Sequence, residues 1–184
     1  MKKRLLLIFI LVSLIIESLP ITVTAANYKK AYRKVVNKFE KEQSGKYDKC
    51  SYNLIYIDWD KTPELICKAI TMMPNTNNIW FSFFEYYTVY SGRTMCFCKG
   101  DGSPFRAHHS LPFYQPKHNV FGFRCWDQGS ISDVFRSIKK GRSDKIDKTV
   151  EYGRTGDINK PSLDSKYKWI EAKYSKKEIL KKLR

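Results

Sequence analysis

The chain has 184 residues, with 34 Lys and Arg against 18 Asp and Glu, and a formal charge of +16. That length suits one domain with a real core, and that charge favours anionic partners. After the N-terminal apolar run no second long apolar stretch follows, which excludes a protein that crosses a membrane with several helices.

The N-terminus carries Lys2, Lys3 and Arg4, then an apolar run over residues 5–16, then the small or β-branched residues Val23, Thr24, Ala25 and Ala26. Charge, then apolar, then small is the order of a secretory signal peptide, and about twelve apolar residues are too few to span a bilayer. The expectation is a leader over residues 1–26, cleaved after Ala25 or Ala26, with an uncleaved anchor as the alternative, and a secreted, extracellular domain over residues 27–184. The membrane is then met only through the leader, because no cysteine lies at the cleavage site for a lipid and the Lys-rich C-terminus has no apolar tail.

Tyr28, Ala31, Tyr32, Val35, Val36 and Phe39 recur at helical spacing between Lys and Arg, predicting an amphipathic helix over residues 28–43 with Asn27 as its cap. Its narrow apolar stripe suits packing on the domain rather than lying in a membrane. Residues 52–57 and 65–70 are apolar and partly β-branched, and the polar stretch 58–64 between them makes a strand, a loop and a strand. Residues 80–90 (WFSFFEYYTVY) form an aromatic strand, turning at Ser91-Gly92-Arg93 and returning as a hairpin over 94–98. Trp80, Phe84, Tyr86 and Tyr90 share one face of that strand. Core burial is the economical use of such a face, and stacking on sugar rings is the other, which makes Trp80, Tyr86 and Tyr90 candidate ligand-binding residues.

Residues 105–126 are interrupted by Pro112 and Pro116 and read as irregular structure with short edge strands. Residues 131–139 read as a strand or a short helical stretch, and the polar residues 142–166, broken by Gly153, Gly156 and Pro161, as a mobile loop. Ser175 to Glu178 is a capping box that opens a short helix with Ile179, Leu180 and Leu183 on its apolar side. The fold class expected is α+β: an N-terminal amphipathic helix packed on an antiparallel β-meander of about five to seven strands, and a short C-terminal helix.

Cys50, Cys67, Cys96, Cys98 and Cys125 follow the leader, and an odd count allows at most two disulfides within the chain, with pairing open. Cys96 and Cys98, two apart in a strand, are expected on one face and so not bonded to each other. His108, His109 and His118 with Cys96 and Cys98 lack the paired spacing of a structural zinc site. No signature around Cys125 marks a nucleophile. No residue is therefore named as catalytic.

The remaining motif is Asp58-Trp59-Asp60-Lys61-Thr62-Pro63-Glu64-Leu65. Alternating carboxylates in a tight loop can converge on a Ca²⁺ ion. The segment resembles the Asp-x-Asp-x-Asp-Gly-x-Pro-Glu-Leu strand-loop-strand of a group of small secreted or lipid-anchored proteins from spore-forming Gram-positive gut bacteria, mostly of unassigned function. In that group an aromatic strand and a Gly-containing hairpin follow the loop, as residues 87–97 do here, and the chain often ends in a short helix. The resemblance implies calcium at Asp58, Asp60 and Glu64. Tyr56 stands in place of the first carboxylate and Lys61 in place of the glycine, which weakens such a site. Read from the residues alone, Asp58 and Asp60 cap loop N–H groups, Pro63 stiffens the turn, Glu64 pairs with a lysine, and no cofactor is required.

The expected function is that of a secreted, non-catalytic protein associating with anionic cell-envelope or host surfaces, or with glycans. Nucleic acid is not the expected partner. A secreted hydrolase and a calcium-stabilised extracellular scaffold are the alternatives.

Overall fold

The computed structural model describes residues 25–72, 74–75, 79–102, 109–127, 130–139, 142–154 and 164–184. The chain runs α1 (Ala25–Gln43), β1 (Lys49–Ile55), β2 (Glu64–Met72), β3 (Ile79–Tyr90) and β4 (Arg93–Gly102). It continues through β5 (His109–Gln115), β6 (Val120–Asp127), β7 (Ser130–Lys139), β8 (Arg142–Arg154), β9 (Lys168–Trp169) and α2 (Lys176–Lys182). Almost all of the leader, residues 1–24, lies outside the described residues. Helix α1 starts at Ala25, so Asn27 sits within its first turn and is not its cap.

The architecture is α+β, with strands pairing antiparallel in two sheets of order β1-β2-β3-β4 and β8-β7-β6-β5-β9. Helices α1 and α2 cover one face of the first sheet, where Tyr32, Val36, Phe39, Leu65, Phe83, Ile179 and Leu183 form one core. The second sheet covers the opposite face through Ile55, Ile66, Phe84, Tyr86, Phe97, Phe121 and Phe123. Strand β3 is central to these three layers, which is why it is aromatic on both faces.

Two expectations are corrected. Within the stretch 105–126, of which 105–108 lie outside the described residues, residues 109–126 are more regular than their prolines suggested, because β5 and β6 pair along their full lengths. Pro112 is tolerated because its carbonyl accepts the Ile170 N–H at 2.8 Å. Its missing N–H therefore faces the two-residue β9 and leaves the ladder to β6 intact. Much of the polar stretch expected as a loop is the long edge strand β8, held to β7 by main-chain bonds that polar side chains do not oppose. Residues 131–139 are strand, within β7.

On the outer face of the second sheet, the Arg124 guanidinium meets its cross-strand partner Asp133 through two bonds of 2.7 Å, and both side chains are buried. Gly122 lets the fully buried Phe113 ring cross this face: a Cβ there would come within 2.5 Å of the ring and of the Val134 carbonyl oxygen.

Candidate functional site

The acidic loop joins β1 to β2, and its carboxylates are occupied by the chain itself. Asp58 Oδ1 accepts the Asp60 N–H at 3.0 Å, and Asp60 Oδ1 accepts the Thr62 N–H at 2.6 Å. Glu64 is fully buried at the start of β2, where Oε2 accepts the Ile57 N–H at 2.9 Å and Oε1 lies 3.5 Å from the Thr88 hydroxyl. The Tyr32 hydroxyl of α1 donates to the Pro63 carbonyl at 2.7 Å and closes the loop from the helix side.

Burial, with the charges of Asp58 and Asp60 adding to it, pushes the Glu64 carboxyl up to about 8. Burial also lifts Asp60 to about 6, against the opposing hydrogen bond from Thr62. Contrary to the expectation from the residues alone, Glu64 has no lysine partner among the described residues. Among those residues no group of three or more His, Cys, Asp or Glu side chains gathers where a metal ion would sit.

Cys50, Cys67, Cys96 and Cys98 carry free thiols, and the Cys125 side chain lies outside the described residues. Cys96 and Cys98 do not share a face. A bulge between Tyr86 and Tyr87 sets Cys98 opposite Tyr86 and Cys96 opposite Tyr87, so the two thiols fall on opposite sides of the sheet. Burial pushes Cys50 up to about 11 and Cys98 up to about 12, and raises Cys67 and Cys96 as well. Thiols held in the protonated form are weak nucleophiles. The buried Glu85 beside Cys67 and Cys96 is engaged by the Tyr87 hydroxyl at 2.5 Å and by Lys99 Nζ at 2.8 Å.

Of the aromatic candidates, Tyr86 is wholly buried between the sheets, so its ring offers no face to a ligand. Tyr90 is partly exposed at the end of β3, and the Trp80 side chain lies outside the described residues, as does His108.

The surface that gathers charge is elsewhere. Lys30, Lys34 and Lys38 follow one another at four-residue spacing along the exposed side of α1. With Ala31 and Val35 they line one wall of a groove of about 500 Å³, whose other wall is Gly92 and Thr94 at the β3–β4 turn. Positive φ at Ser91 and Gly92 makes that turn tight. Lys38 lies 3.7 Å from Glu42, while Lys30 and Lys34 have no ion-pair partner among the described residues. The result is a cationic rim over an apolar floor. The spacing of the three lysines is visible in the sequence, but the opposite wall is about sixty residues away along the chain and comes only from the packing of α1 against the hairpin.

No protein family matches the chain, and neither does any curated protein or solved structure.

Proposed function

We propose that this is a secreted, non-catalytic protein that binds anionic polymers of a cell envelope or host surface along the groove between α1 and the β3–β4 turn. The observation that carries the reading is the row Lys30, Lys34 and Lys38 over Ala31 and Val35, with no carboxylate partner at the first two among the described residues. Lysines one helical turn apart meet successive charges of an extended polyanion, and the apolar floor takes the hydrocarbon between them. Export rests on the leader read over residues 1–26, and the likeness of residues 50–98 to small exported proteins of Gram-positive bacteria agrees with a wall-facing location.

The test is retention of the purified protein on isolated Gram-positive cell walls, with and without teichoic acid, at low salt and at about 0.5 M salt, where screening is nearly complete beyond a few ångströms. Retention should need teichoic acid and vanish in salt. The K30Q/K34Q/K38Q variant, which keeps the helix, should bind about tenfold more weakly or worse. No retention at all, or retention unchanged in the triple variant, would sink the proposal.

A further inference from the structure

A second surface stands apart from the lysine groove and differs from it in charge. Trp59, at the tip of the acidic loop, is 70% exposed, the most exposed large apolar side chain among the described residues. Its loop is nevertheless bonded to itself. The Asp58 and Asp60 side chains close successive turns around it, and Thr62 and Pro63 behind it are buried.

The turn between β5 and β6, from the other sheet, locks onto the same loop: the N–H groups of His118 and Asn119 both donate to the Ile57 carbonyl, at 3.1 and 3.0 Å. The Lys117 N–H donates to the Tyr56 carbonyl at 3.4 Å. This docking brings the His118 ring to 5.9 Å from the indole of Trp59, at an interplanar angle of 63°. An aromatic corner is thus held in place by backbone bonds from two sheets while most of its indole faces water.

The rim of the corner is polar and balanced. Asp58 and Asp60 are offset by Lys61 and Lys117, so this patch is near neutral on a chain of net charge +16. The exposed His118 adds ring nitrogens that can bond to hydroxyls. A flat ring bordered by carboxylate and imidazole groups matches a ligand with an apolar C–H face and a hydroxyl edge.

We infer that Trp59, His118 and Asp58 form a carbohydrate-binding corner for a neutral pyranose, whose C–H face stacks on the indole of Trp59. This site does not depend on the lysine groove, and the two readings fail separately.

The experiment is a ¹⁵N NMR titration of the protein with cellotetraose and with chitotetraose at millimolar concentration, following the Trp59 indole N–H and the His118 amide. At least one of the sugars should shift both signals. Trp59→Ala should weaken that binding by about tenfold or more at an unchanged thermal midpoint, Trp59→Phe should keep part of it, and K30Q/K34Q/K38Q should leave it intact. No shift with either sugar, binding unaltered in Trp59→Ala, or a Trp59 signal that responds to phosphatidylcholine vesicles and not to sugar would each overturn the inference.

Discussion

The buried carboxylate of Glu64 accepts the N–H of Ile57 at 2.9 Å, and the carbonyl of that same Ile57 accepts two N–H groups from the β5–β6 turn. One side chain of the first sheet therefore sets the peptide on which a turn of the second sheet docks. Tyr32, Asp58, Asp60 and Thr88 surround it, and no cation among the described residues offsets its charge.

From this follows a dependence of stability on pH. The Glu64 carboxyl is raised in the folded state to about 8 from the ordinary carboxylate range, so the folded protein keeps a proton that the unfolded chain has released. Its contribution is fully present below about pH 4.5 and is lost as pH rises through about 8, and Asp60 adds a smaller loss completed by about pH 6. In urea denaturation, wild type should lose stability between about pH 5 and 8, and Glu64→Gln should remove most of that slope while its amide oxygen still accepts from Ile57. Equal slopes in the two proteins would refute the assignment.

The Arg124–Asp133 pair makes a different demand, since both charges are buried and bonded to each other. Asp133→Asn removes the buried charge that faces the guanidinium and should cost about 3–5 kcal/mol. Replacing both at once, as Arg124→Met with Asp133→Leu, removes the charges together and should cost less than the single change. Chemical denaturation of the three proteins decides it. A double variant less stable than Asp133→Asn would show that the pair itself adds net stability.

Tyr86 supplies a third case. Its hydroxyl is buried between the sheets without a hydrogen-bond partner among the described residues. Tyr86→Phe keeps the ring contacts with Phe84, Phe97, Phe121 and Phe123 and should be neutral or stabilise by up to about 1 kcal/mol. A clear fall in thermal midpoint would count against this packing.

What the sequence determined by itself is what depends on neighbours a few residues apart. The apolar stripe of α1, the capping box at Ser175 and Glu178, the aromatic strand β3 with its Gly92 turn, and the short-range turns of Asp58 and Asp60 are all set by local periodicity or by side chains reaching the nearest backbone. The tertiary structure decided what depends on distant partners. A second sheet buried Tyr86 and gave polar residues 142–154 a strand to pair with. A bulge against β3 separated Cys96 from Cys98. The hairpin supplied the far wall of the lysine groove, and the Lys117–Asn119 turn, docked on Ile57, set His118 beside Trp59. Such pairings are chosen by the apolar area and main-chain bonds that the whole fold satisfies at once, and no local pattern around Lys34 or Trp59 encodes which distant segment will arrive.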